Sequence, residues 1–245
     1  MSSRIVTTQH ESYLVAQFNR PEARNAIDLE FIEELHALCA TLERAPQLLV
    51  LTGSEGFFAA GADIGQLRER GPEEALAGIN SRAFERIARL PLPTIALVNG
   101  PAFGGGAELA YACDLRIATP AAKFGNPEPN LGIIAGAGAS WRLRELVGLG
   151  MASDVLLFGR VLNADEALAT GLVTRIVAEE EVDAALSEIA SKVSSAAPLA
   201  LRMTKLAMHA PAAAHPAVDD IVQAALFQTA DKHARMDAFL NRKKS

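Results

Sequence analysis

Two glutamates and a run of glycines define the chemistry this chain could perform. In "GPAFGGGAELAYACD", residues 100–114, three consecutive glycines lead into an apolar stretch with one carboxylate, Glu108. A helix starting near Gly105 leaves its first backbone N–H groups unpaired. Glycine lets a ligand approach that backbone closely, and the helix dipole favours negative charge there. Helical side chains lean toward the N-terminus, so Glu108, one turn in, is expected to point back toward Gly105. An oxyanion donor and an acid or base would then share one turn. The plainer reading is a tight turn followed by an acid that merely complements the dipole. A phosphate loop is not supported. No Gly-Lys-Ser/Thr occurs, Gly104 and Gly106 would need a glycine where Leu109 stands, and Gly136 and Gly138 one where Trp141 stands.

Two more stretches bear on the site. In "FFAAGADIGQL", 57–67, Asp63 with Gln66 three residues on reads as a helix N-cap with a reciprocal partner, so Asp63 is expected to be structural. Ala62 can then offer its N–H at a second helix start. In "AKFGNPEPNLGIIAGAGASWRL", 122–143, Glu128 precedes Pro129, which biases it toward extended backbone. The competing reading is a solvated loop acid. Trp141 falls in a helical pattern and is expected in the core.

The elements that must carry these residues alternate. Strands are expected at 13–18, 47–53, 93–100, 114–120 and 172–177. Helices are expected at 30–44, 73–90, 105–113, 137–147, 150–158 and 163–170, the last opening with an Asn163/Glu166 capping box. The strands at 47–53 and 93–100 are continuous apolar runs, as in a sheet buried on both faces. Alternation of this kind predicts an α/β fold with mostly parallel sheets. From about 179 the strand signals stop. Val182, Leu186, Ile189 and Val193 make one helical stripe, Pro198 can open a further helix, and 217–241 reads as helix again.

Composition narrows the classes. The 245 residues carry a net charge of −6, which argues against a general nucleic-acid or anionic-membrane binder. Cys39 and Cys113 lie in apolar patterns and are expected to be buried free thiols. The five histidines make no metal-binding pattern, so no metal is expected. The N-terminus lacks a signal-peptide run and no stretch is long enough to span a membrane, which predicts a soluble, cytoplasmic protein.

Four words in order, "NRPEARNAI" (19–27), "FFAAGADI" (57–64), "NGPAFGGGAELAYACDLRIA" (99–118) and "FGNPEPNLGIIAGAGASWRL" (124–143), resemble the enoyl-CoA hydratase/isomerase (crotonase) family, most like a bacterial-type hydratase. The resemblance covers about 10–180, with a weaker echo in "DAFLNRKK" at the C-terminal end. It implies a crotonase-like spiral of repeated ββα units over 1–190 and a helical oligomerisation region over 191–245, assembled as a homotrimer or a hexamer. It implies acyl-CoA thioesters as substrates, with coenzyme A part of the substrate and no separate cofactor. Carried over by position, the oxyanion hole falls on the N–H groups of Ala62 and Gly105, and the two acids on Glu108 and Glu128. The substrate would also lie along Ala23, Arg24, Ala26, Ala60, Asp63, Ile64, Gly104 and Pro127; for Arg24 a plain surface cation is the alternative.

On this resemblance, water attacks C3 of a trans-2-enoyl thioester, with Glu108 activating the water and Glu128 protonating C2, or the reverse. Simple double-bond isomerases of the family chiefly need the acid at Glu128, so the second acid favours hydration. Residues 129–144 contain no Asp or Glu, which disfavours the dienoyl isomerase and hydrolase branches. An RNA-binding branch uses a Lys-rich helix, whereas "LEFIEELHALCATLER" is acidic. An isomerase and a catalytically silent protein of this fold remain the alternatives. Pro129 and Asn130 replace a usual apolar pair and Ala135 a frequent proline, all near the expected acyl pocket. The segment "RERGPEEALAGIN", 68–80, falls where the pocket wall varies.

Overall fold

A computed structural model describes residues 3–242. The two lysines of "DAFLNRKK" therefore lie outside the described residues. Strands β1 (Ile5–Gln9), β2 (Tyr13–Phe18), β3 (Leu48–Thr52), β4 (Thr94–Val98), β5 (Pro101–Phe103), β6 (Leu115–Ala118), β7 (Lys123–Gly125), β8 (Leu162–Asn163) and β9 (Arg175–Ile176) form two sheets. The larger has the order β1-β2-β3-β4-β6-β9 and the smaller β5-β7-β8. Only the β1–β2 and β7–β8 pairs are antiparallel.

The helices are α1 (Leu29–Arg44), α2 (Ile64–Glu69), α3 (Pro72–Ala77), α4 (Ile79–Ala88), α5 (Gly105–Ala112), α6 (Ala139–Phe158), α7 (Ala164–Ala169), α8 (Val182–Ser195), α9 (Pro198–Met208), α10 (Ala217–Phe227) and α11 (Ala230–Arg242). A repeat emerges from their order. β4 in the large sheet leads to β5 in the small sheet and then to α5; β6, β7 and α6 do the same. β3 follows the plan more loosely, with Ala59 bridging to Ala102 of β5 before α2 begins. This is the expected spiral of ββα turns.

The apolar runs are explained by burial on both faces. Leu49 and Leu51 of β3 and Ala96 and Val98 of β4 face the main core with α1, α4 and α5. Their alternates Leu48, Val50, Ile95 and Leu97 face the other way, where Leu186, Ile189 and Ala190 of α8 cover them. The C-terminal helices are tied to this body through Lys205 of α9, whose Nζ donates to Asp114 Oδ2 (2.6 Å) beside Thr94.

Several details depart from the sequence reading. The helix expected at 73–90 is two helices, because Gly78 takes a left-handed conformation (φ 64°) between α3 and α4. The helix expected at 217–241 is likewise α10 and α11. α6 is broken at Gly148 (φ 77°), which preserves the two helical segments expected there. Trp141 is not in the core: Ala139, Arg142 and Leu143 form the inward stripe of α6. The tryptophan lies off it, 46% exposed, with the Arg142 guanidinium 3.9 Å from its ring centre. Cys39 and Cys113 are buried and free. No helix among the described residues is long and apolar enough to cross a membrane.

Candidate active site

The three glycines have three separate jobs. Gly104 sits at φ 50°, ψ −125°, a conformation closed to other residues. A Cβ there would also stand 3.1 Å from Glu128 Oε1. Gly106 lets α5 touch the β3 turn, since a Cβ would fall 2.2 Å from Ala59 O. Gly105 is the first residue of α5, and no acceptor among the described residues takes its N–H. The same holds for the N–H of Ala62. The two turns face each other, because a Cβ on Gly105 would lie 3.6 Å from Ala62 N. The Ala62 turn is fixed from behind by Ile27, whose N–H donates to Gly61 O and whose O accepts from Asp63 N–H.

Glu108 is 3% exposed. Its Oε1 accepts the N–H of Ala137 (2.7 Å) and of Ala139 (3.0 Å) at the start of α6. The carboxylate is thus held by the neighbouring helix, not by its own. Burial pushes its pKa up to about 7; the Glu128 charge adds to the rise, and the α6 amides oppose it. Glu128 is no solvated loop acid: it is 8% exposed and its Oε2 is buried without a hydrogen-bond partner among the described residues. Burial raises its pKa too. It opens a 3-10 turn, Glu128–Leu131, instead of extending. Pro129 fits there because the first N–H groups of such a turn are unpaired anyway. Asn126 donates from Nδ2 to Glu128 Oε1 (3.5 Å), and Tyr111 Oη donates to Asn126 Oδ1 (3.2 Å).

A cleft of about 580 Å³ collects these groups. Ala60, Ala62, Ile64, Gly104, Gly105, Glu108, Pro127 and Glu128, all singled out from the sequence, line it. Four others do not. Ala23, Arg24 and Ala26 run alongside, with Ala60 N–H donating to Arg24 O (3.0 Å). Arg24 itself is exposed, at φ 54°, 5.4 Å from the centre of the Phe57 ring. Asp63 caps α2 by accepting the N–H of Gln66 (3.1 Å) and pairs with Arg20 (2.8 Å), and these bonds hold its carboxyl below its ordinary pKa. Gln66 does not reciprocate; its Oε1 accepts the N–H of Leu29 instead. Pro129 and Asn130 are exposed and Ala135 is buried, and none of the three lines the cleft; Leu131, Ile133 and Ile134 do.

Sequence reasoning missed Asn126, although it stands two residues before Glu128. It also missed the amides of Ala137 and Ala139, which no side-chain pattern announces. Arg70 and Asn80, also in the cleft wall, were hidden in a segment that reads only as polar.

Chemically, the arrangement offers two unengaged N–H donors at one point, with two buried carboxyl groups of raised pKa in the same cleft. It suits a carbonyl that gains negative charge while protons move nearby.

Comparison with known proteins points the same way. The profile of the enoyl-CoA hydratase/isomerase family matches residues 8–245, well past the stretch carrying the sequence words. A short-chain-enoyl-CoA hydratase of Clostridium acetobutylicum is 36% identical, covering 99% of this chain and 96% of its own length. A crotonyl-CoA hydratase of Syntrophomonas wolfei is 37% identical over 98% of this chain and 96% of its own. The crystal structure of an enoyl-CoA hydratase from Bacillus anthracis superposes with a TM-score of 0.91 at 30% identity, covering 98% of this chain and 96% of that one.

Proposed function

The chain belongs to the enoyl-CoA hydratase/isomerase family, and from that premise we propose that it adds water across the trans-2 double bond of an enoyl-CoA thioester. The observation that carries this reading is the pairing of two buried glutamates, both with raised pKa, with two free backbone donors in one cleft. The thioester oxygen accepts from the N–H groups of Ala62 and Gly105. Attack of water at C3 moves an electron pair from the double bond toward that oxygen, and the two donors stabilise the resulting charge.

Glu108, oriented by α6 through one oxygen, accepts a proton from the attacking water. Glu128, whose pKa is raised by burial, gives a proton to C2. The C3–O and C2–H bonds form, the C2–C3 π bond is lost, and proton exchange between the coupled acids restores the starting state. Coenzyme A enters as part of the substrate, running beside Ala23, Arg24 and Ala26 toward Ala60, Asp63 and Ile64, with Gly104 and Pro127 against the acyl end. No further cofactor takes part in this scheme.

The same reading makes 1–190 the spiral core and 191–245 a helical region through which the cytoplasmic enzyme assembles as a homotrimer or hexamer. Exposed Leu206, Met208, Ile221, Met236, Phe239 and Leu240 on that region support assembly.

The test is loss of the conjugated thioester absorbance when the protein meets crotonyl-CoA, with formation of 3-hydroxybutyryl-CoA. No loss there, but a rising band from trans-3-enoyl-CoA, would make the protein an isomerase instead. Silence with both leaves a catalytically inert member of the fold.

A further inference from the structure

The cleft wall built by residues 60–81 contains a group the hydration scheme does not use. Arg70, at the end of α2, is half-buried and is the one cation among the described residues lining the cleft. Its Nη1 donates to Asn80 Oδ1 (3.1 Å), and no carboxylate among the described residues pairs with it. The nearby acid of the same wall is engaged elsewhere: Glu74 Oε2 accepts the N–H of Gly71 (2.8 Å) and closes the first turn of α3. The same cleft is also lined by the apolar Ile64, Leu67, Ile79, Leu131 and Ile133.

Asn80 fixes where this cation stands relative to the reacting atoms. Its Nδ2 would lie 3.5 Å from a Cβ on Gly105, so Asn80 sits against the start of α5. Arg70 follows one amide group further out. An acyl chain whose thioester oxygen rests on Gly105 therefore passes apolar lining and comes within reach of a guanidinium that lacks a charge partner. A planar guanidinium matches a carboxylate with two parallel N–H···O bonds. A purely hydrocarbon acyl group would leave that cation facing an apolar chain, which is unfavourable.

Resting on the hydratase reading above, we propose that Arg70, steadied by Asn80, selects acyl-CoA substrates whose acyl chain ends in a carboxylate a few carbons beyond C3. Arg70 is then a specificity determinant, and the substrate class is the CoA monothioester of a short dicarboxylic acid.

The experiment compares kcat/KM for trans-2-enoyl-CoA thioesters of five and six acyl carbons, each with and without a terminal carboxylate, in the parent protein, Arg70→Leu and Arg70→Lys. The parent should favour the carboxylate-ended member of at least one pair. Arg70→Leu should lower that preference roughly 10-fold or more, and Arg70→Lys should retain part of it. No preference in the parent, or a preference unchanged in Arg70→Leu, overturns the proposal. So does an equal loss on both members, which would place Arg70 against the shared CoA portion. Calorimetric binding of adipyl-CoA against hexanoyl-CoA gives the same comparison without turnover. If neither enoyl thioester is hydrated while Arg70 still discriminates between those two, the hydratase reading fails and this one stands. If hydration proceeds without discrimination, the reverse holds.

Discussion

The starts of α5 and α6 lie in the same site and are finished in opposite ways. At α6 the N–H groups of Ala137 and Ala139 are taken by Glu108. At α5, the helix that carries Glu108, no side chain caps the start and the N–H of Gly105 is left over. An acid in a first turn ordinarily complements its own helix. Here it reaches across to the next one, so its own helix keeps a donor for a ligand while the acid is held in place. α2 makes the contrast sharper: Asp63 caps its start by accepting the N–H of Gln66, while the N–H of Ala62, just before the cap, has no acceptor among the described residues.

Removing the acid that no helix start holds should cost the most. Glu128→Gln leaves a similar shape without a transferable proton, and kcat for crotonyl-CoA hydration should fall about 10²–10⁴-fold. Affinity for butyryl-CoA should stay close to the parent's. Near-normal turnover would leave Glu128 as mere lining.

Closing the open helix start comes next. Gly104→Ala places a Cβ 3.1 Å from Glu128 Oε1 at a backbone angle alanine resists. The shift at Gly105 should cost about 10²–10³-fold in kcat, as for loss of one oxyanion donor. A change confined to KM would contradict the role given to that turn.

The closed start can be probed through stability. Glu108 has a folded pKa of about 7 against 4.5 for an ordinary glutamate. Between these values the folded state holds more protons than the unfolded one, so stability falls as pH rises through that window. The full loss, on the order of 3 kcal/mol, is reached above pH 7. Glu108→Gln removes the ionisation yet keeps an oxygen for the α6 amides. Urea unfolding should show the variant more stable than the parent at pH 8, with the gap closing toward pH 4. A variant less stable at pH 8 would mean that the charge itself is needed to hold α6.

The smallest effect belongs to α2. Asp63→Ala should lower stability by about 1 kcal/mol through the lost cap, read as a lower urea midpoint. An unchanged midpoint would show that the cap contributes nothing.

These three helix starts also mark how far the sequence could be read. Asp63 and Asn163 announced their caps, because a side chain three residues before the amide it binds is a local pattern. The cap on α6 could not be found that way, since Glu108 lies 29 residues from Ala137 in the chain. Long strands with continuous apolar runs were legible. β5, β7 and β8 were not, being two or three residues long and formed only through pairing with one another. β1 was missed because four of its five residues face solvent, which leaves no apolar alternation to read. The four sequence words carry both glutamates and both donor turns, which the fold gathers in one cleft. The wall at 64–81 carried no such word, and there Arg70 and Asn80 emerged only from the geometry.

The central claim is that the free donors of Ala62 and Gly105 receive the thioester oxygen. Infrared difference spectra of a bound enoyl-CoA, with and without ¹³C at the thioester carbonyl, test it most directly. The account predicts a carbonyl band shifted to lower frequency on binding, with the shift reduced in Gly104→Ala and kept in Glu128→Gln. A carbonyl band at its free-solution frequency in the parent complex would contradict it.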